Sequence, residues 1–230
     1  MTSPPINVVV LISGSGSNLQ AIIDARQHYP AAFNLGLVLS DRPQARGLQR
    51  ASDAGLPTRV IDFEKLANRE NFECLLIEAI DRSDAKLIIL AGFMRILSNN
   101  FVNHYLGRLI NIHPSLLPKF RGLHTHQRVL DAKCKKHGAS VHFVTPDLDA
   151  GPVIIQGQID VLTDDTAAIL AARVLKIEHK ILPIVLNLYA QDRVKMLQQT
   201  ITLDNKVLEQ PLQYNPDDNS VVDNKLTIVI

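Results

Sequence analysis

Asn111 and His113, in the stretch INIHPSLLPKFRGLH from Ile110 to His124, set two polar side chains into the end of an otherwise apolar run. Residues two apart on an extended strand leave the same face, so the amide and the imidazole can act on one group. Pro114 and Pro118 follow and end the strand where these side chains project. Ligands of open α/β sheets bind at the carboxyl ends of strands, which gives the pair a functional reading. The plainer reading is that both satisfy buried backbone groups. Asp149, in DLDAGPVI between two predicted strands, weights the functional one. A carboxylate beside an imidazole favours its charged form, and an Asn amide next to an imidazolium can hold a developing oxyanion. The chemistry is then attack on a carbonyl by an outside group without a covalent enzyme intermediate, since no GxSxG elbow is present. Asp147 is a rival carboxylate two residues earlier, and the sequence leaves both open.

A second candidate is SGSGSN, Ser13 to Asn18, directly after the first apolar run and opening a helical pattern. Glycines let the backbone approach an anion closely, and a helix start presents unpaired N–H groups, so phosphate is the natural guest. The dinucleotide fingerprint GxGxxG fails at Leu19, and no GKS or GKT follows. The alternative is a tight turn with Ser17 or Asn18 as N-cap. If phosphate binds, the amides of Gly16 and Ser17 and the Asn18 side chain are the expected donors.

The remaining histidines are weaker signals. His124 and His126 are spaced i, i+2 at a helix start, which does not put both on one face, so no metal site is expected. His28, His104 and His137 are expected on solvated surfaces, and His142 faces either the site or the core.

These residues need a frame. INVVVLI, LGLVLS, TRVID and KLIILAG alternate with helical segments starting near Ser17, Pro43 and Asn68. Strands apolar throughout, separated by amphipathic helices, predict a doubly wound α/β unit with a mostly parallel sheet flanked by helices. LINIH, a helix from about Leu123, ASVHFVT, GPVIIQGQID and a long helix from about Asp165 to Ala190 follow. ITLDNKVLEQ reads as a small hairpin turned at Asp204 and Asn205, and the residues after it as peripheral.

Composition narrows the class. The chain has 230 residues with 46% apolar and 20% charged residues, and 24 Lys+Arg against 23 Asp+Glu give a net charge of +1. One domain without nucleic-acid affinity is expected. The apolar runs are of strand length, short of the roughly 20 residues a membrane span needs, and MTSPPIN lacks the features of a signal peptide, so a cytoplasmic location is expected. Cys74 and Cys134 form no metal or disulfide pattern.

Taken in order, VVLISGSGSNLQAIIDA, LAGFMRILS, INIHPSLLPKFRGLHTH, HGASVHFVT and LDAGPVI resemble the phosphoribosylglycinamide formyltransferases, the folate-dependent transformylases of purine synthesis. The resemblance runs from about Ile6 to Leu197 and implies a formyltransferase-type Rossmann-like fold. It implies one catalytic domain over residues 1–200, with a phosphate-binding half about 1–105 and a folate and catalytic half about 106–200. Residues 201–230 are then a hairpin and peripheral tail. By residue matching, Asn111, His113 and Asp149 are the catalytic trio, and Gly16, Ser17 and Asn18 the phosphate loop. Met94, Arg95, Ile96 and Leu97, with Arg69 and Asn111, match the folate-binding residues, and Glu178 a residue near the substrate amine. Ser140 and His142 fall within the family signature. Glu178 also has a plainer reading, as a solvated border residue beside the core stripe Val174, Ile177, Ile181 and Val185. Pro146 and Ala150 depart from the acidic residues and glycine commoner around Asp149.

The implied reaction moves the formyl group of 10-formyltetrahydrofolate to the amine of glycinamide ribonucleotide. The expected partners are these small molecules, with no metal, nucleic acid or membrane, and the chain is expected to be a monomer or weak homodimer. Methionyl-tRNA formyltransferases share HPSLLP but carry an RNA-binding domain for which this sequence shows no room. Formyltetrahydrofolate deformylases share the trio but carry an N-terminal regulatory domain, and a dinucleotide-binding module is disfavoured by Leu19.

Overall fold

The computed structural model describes residues 4–27, 32–223 and 226–228, so the expectation for His28 lies outside the described residues. The chain divides into two compact units, residues 1–111 and 112–230.

The first unit is built on β1 (Ile6–Ile12), whose residues Val8 to Ile12 are fully buried. It continues through α1 (Ser17–Ala25), β2 (Phe33–Ser40), α2 (Arg46–Asp53) and β3 (Thr58–Val60), then a 3-10 turn at Phe63–Lys65. Next come α3 (Arg69–Arg82), β4 (Leu87–Leu90), α4 (Asn99–His104) and β5 (Leu109–His113), the last of which runs on into the second unit. The strands lie in the order β5-β4-β1-β2-β3 and every pairing is parallel. Apolar side chains on both faces of β1 and β4 match a sheet flanked by helices. Helix α2 starts three residues later than Pro43 suggests, because the Ala45 N–H closes a turn on Arg42 O (3.2 Å) first. Side chains cap α3 and α4: Asn68 accepts from Asn71 N (2.9 Å) and Ser98 from Phe101 N (3.2 Å).

In the second unit α5 (Thr125–Asp131) precedes β6 (Lys136–Phe143), β7 (Val153–Asp160) and α6 (Ala167–Ala190). Strands β6 and β7 pair antiparallel. Val174, Ile181 and Val185 of α6 are fully buried and Ile177 nearly so, giving the expected stripe. A Cβ at Gly157 of β7 would collide with Ile177, so the strand's glycine lets α6 lie close against it. Strands β8 (Val194–Leu197), β9 (Thr200–Leu203) and β10 (Lys206–Val207) form a separate antiparallel sheet, with Asp204 and Asn205 at the turn in left-handed conformation.

Beyond the hairpin the structure departs from the peripheral tail read from the sequence. Strand β11 (Leu212–Asn215) pairs parallel with β7, and β12 (Ser220–Asp223) and β13 (Leu226–Ile228) follow antiparallel, giving the order β13-β12-β11-β7-β6. Leu212 and Val221 are fully buried and Tyr214 nearly so. A strand this short shows only two alternations, too few to stand out in a polar sequence. Among the described residues no helix is long and apolar enough to cross a membrane.

If these strands belong to the core of the second unit, Leu212→Ala lowers the unfolding free energy by about 2–5 kcal/mol, the usual cost of emptying a buried leucine site. Urea denaturation measures it, and a change near zero would return the tail to the periphery.

Candidate active site

The glycine loop leaves β1 and enters α1 at Gly16, which has φ +70° and serves as N-cap with no side-chain hydrogen bond to the first turn. Neither Ser17 nor Asn18 is the cap; both belong to the helix. A Cβ at Gly16 would strike the backbone of Gly47, and one at Gly47 would strike Ile12, so α2 packs against the loop through two glycines. Gly47 N–H donates to Gly14 O (3.1 Å) and Arg50 Nε to Ser15 O (2.9 Å), fixing the loop from α2. A helix start without a side-chain cap, preceded by an exposed and unhindered Gly14, suits an incoming anion.

Residues 93–98 follow β4 without regular structure. Met94 and Ile96 are 62% and 67% exposed, an apolar surface available to a ligand, and Leu97 is half-buried. Arg95 points elsewhere: its Nε donates to buried Asp41 (2.7 Å), Nη2 to Glu64 (3.0 Å), and the guanidinium lies over the Phe63 ring. The Asp41 hydrogen bond holds its pKa above the usual arginine value. Arg69 begins α3, exposed, with Nε 3.9 Å from Glu73.

At the carboxyl end of β5, Asn111 is half-buried and His113 buried. His113 Nε2–H donates to Phe120 O (3.0 Å), and Nδ1 faces Asp149 Oδ2 at 3.4 Å. A carbonyl oxygen and a carboxylate are both acceptors, so each ring nitrogen of His113 has an acceptor beside it. Asp149 itself sits in left-handed conformation (φ +46°), one of the few non-glycine types that tolerates it. Its Oδ2 accepts from Gly122 N (2.9 Å), and Oδ1 lies 3.7 Å from His142 Nε2. Asp147 is exposed, which decides the rivalry left open by the sequence in favour of Asp149 as the partner of His113.

His142 therefore faces the site. Its Nδ1–H donates to Phe143 O (2.9 Å), and burial pushes its pKa down to about 4, so it is neutral at physiological pH. Glu178 is 8% exposed on α6, buried and not a solvated border residue. Among the described residues no group of three His, Cys, Asp or Glu could hold a metal ion.

Residues 6–186 match the family described as formyl transferase. The chain belongs to the formyl transferase family. It is 46% identical over 93% of its length to the whole of a phosphoribosylglycinamide formyltransferase from Escherichia coli (strain K12). A solved phosphoribosylglycinamide formyltransferase from Coxiella burnetii superposes with TM-score 0.85 at 50% identity, covering 89% of this chain and 96% of that one. A glycinamide ribonucleotide transformylase 1 from Symbiobacterium toebii gives TM-score 0.83 at 38% identity, over 86% and 94%.

Several residues of this formyl transferase that shape the site carry no local signal. Ser140 of β6 donates to Ser115 O (2.6 Å) and accepts from Leu117 N (3.1 Å), while Gln156 of β7 donates to Leu117 O (2.8 Å) and Ser140 Oγ (2.9 Å). Together they fix the PSLLP turn that carries the chain away from His113. Ser140 stood in the family signature, but its hydrogen-bonding role, like that of Gln156, depends on partners 16 to 39 residues away.

His137 corrects an expectation: it is 1% exposed, because β6 begins at Lys136 and draws it into the ladder opposite Ile159. Its Nε2 is 3.0 Å from His126 Nδ1, and burial with the neighbouring ring lowers its pKa to about 4. One neutral ring can donate to the other, whereas two imidazoliums cannot. A histidine whose folded pKa lies below its unfolded value of 6.5 contributes stability above that value, lost as pH falls toward 4. His137 alone then removes about 3 kcal/mol across that window. Urea midpoints measured through it will fall with pH, and His137→Gln will flatten the slope; an unchanged slope would remove His137 as its cause.

Proposed function

We propose that this chain catalyses transfer of the formyl group of 10-formyltetrahydrofolate to the amine of glycinamide ribonucleotide, the formylation step of purine biosynthesis. The observation that carries the reading is the buried His113–Asp149 pair at the end of β5, two residues from Asn111. It lies in a chain that matches the Escherichia coli phosphoribosylglycinamide formyltransferase over that protein's whole length. The ribonucleotide phosphate is assigned to Gly16, Ser17 and Asn18, and Glu178 to the surroundings of the amine. Arg69, Asn111 and the stretch Met94, Arg95, Ile96 and Leu97 are assigned to the folate. For Arg95 the backbone serves, since its side chain is committed to Asp41 and Glu64. The exposed Arg69 guanidinium suits a folate carboxylate, and exposed Met94 and Ile96 suit its rings.

The neutral amine attacks the formyl carbon, forming the new N–C bond and placing negative charge on the formyl oxygen. Asn111 and the Nδ1–H of His113 hold that oxygen, while Phe120 O holds the other face of the ring in place. The loose 3.4 Å contact to Asp149 leaves Nδ1 free to share its proton with the oxyanion. Collapse breaks the bond to the folate nitrogen, which takes a proton as the former amine loses one. Asp149 steadies the imidazolium and assists that movement through water. Holding two substrates in register supplies a large share of the acceleration. Both partners are small molecules, and the reaction belongs in the cytoplasm.

Loss of the formyl group from 10-formyl folate, followed by absorbance with and without glycinamide ribonucleotide, tests the reading. Ribonucleotide-dependent loss with formylated product is expected, and equal loss without it would mean a hydrolase. His113→Ala and Asp149→Asn are expected to lower kcat by about 10²- to 10⁴-fold while ribonucleotide binding survives. Near-normal turnover in either variant would remove the role assigned to that residue.

A further inference from the structure

Residues 93–98 make no regular hydrogen-bonded structure, so their shape depends on side chains reaching them from elsewhere in the first unit. Ser13, 3% exposed at the end of β1, accepts a hydrogen bond from Met94 N (2.8 Å). Glu73, 6% exposed on α3, accepts from Ser98 N (2.7 Å) and from the Ser98 hydroxyl. Burying a carboxylate is costly unless it is hydrogen-bonded, and the start of α4 offsets the cost with two donors and a favourable dipole end. Capping alone does not explain it, because Ser98 already receives Phe101 N and closes the first turn of α4. What Glu73 adds is a fixed position for Ser98, and with it for the far end of the segment. The same carboxylate faces Arg69 Nε at 3.9 Å. The stretch is thus tied at one end to the strand that leads into the glycine loop and at the other to the helix that presents Arg69.

We propose that Ser13 and Glu73 are positioning residues for the folate donor, holding residues 94–97 from both ends and, through Glu73, aiming Arg69. The proposal rests on the reading that those residues bind the donor. Neither side chain touches the reacting atoms under this reading, so their removal acts on donor affinity before it acts on the chemical step. Because both restrain one stretch of backbone, their effects are coupled: once one end is loose, releasing the other loses less.

Ser13→Ala, Glu73→Gln and Ser98→Ala are compared with the wild-type chain by steady-state kinetics in each substrate, by calorimetric titration with tetrahydrofolate and by Tm. Each substitution should raise KM for 10-formyltetrahydrofolate about three- to tenfold, the loss expected of one buried or charged hydrogen bond, and leave KM for the ribonucleotide within about twofold. Tetrahydrofolate binding should weaken by the same factor, and the double variant of Ser13 and Glu73 should lose less than the product of the singles. Ser13→Thr, which keeps the hydroxyl, should restore donor affinity. Unchanged donor KM in all three variants, or equal rises in both KM values, overturns the assignment, as does a loss that follows Tm alone. A wild-type chain that neither turns over nor binds tetrahydrofolate overturns the underlying reading of the donor site instead.

Discussion

The carboxylate of Asp149 is the interaction on which the rest of the candidate active site in the second unit depends. It receives Gly122 N–H, stands against His113 Nδ1, and lies near His142, all with little solvent to screen it. A buried carboxylate is tolerated only when donors converge on it, and here they come from the loop after β5 and from β5 itself. The left-handed backbone at Asp149 brings the carboxylate to that point. Two histidines stand near this one carboxylate in different settings: His113 has an acceptor beside each ring nitrogen, while burial keeps His142 neutral.

In each unit, the segments assigned to ligands are mostly irregular backbone held by buried polar side chains from regular elements. Ser140 and Gln156 hold the PSLLP turn, Asp41 turns Arg95 away, and Ser13 and Glu73 hold the ends of the stretch after β4. Strands and helices supply rigidity, and the loops take their shape from satisfied hydrogen bonds. Glycine enters the same scheme where backbones must approach, as at Gly16 and Gly47, which let α2 grip the loop assigned to phosphate.

Much of this was legible in the sequence. Continuous apolar runs of strand length marked β1, β4 and β5, because a strand buried on both faces needs no alternation. The pair Asn111 and His113 stood out for the opposite reason, as polar types where burial must be compensated. Less was legible where the deciding partner is distant. Asp147 and Asp149 have the same chemistry and nearly the same neighbours, and only the turn that buries one and exposes the other separates them. His137 looked like a surface residue next to Lys135 and Lys136, yet a strand starting at Lys136 carries it inward against His126.

What the sequence by itself determined is the alternation of strand and helix, the glycine loop at the first strand's end, and the types of the candidate site residues. These depend on local period and on side-chain chemistry, which neighbours in the chain express directly. Tertiary structure alone decided how Asp149 meets His113, that Arg95 is spent on Asp41, that Glu73 reaches Ser98, and that β11 joins β7. Each is a contact between residues 25 to 57 positions apart. Its energy comes from burial and pairing created when distant segments meet, and no local pattern records that meeting.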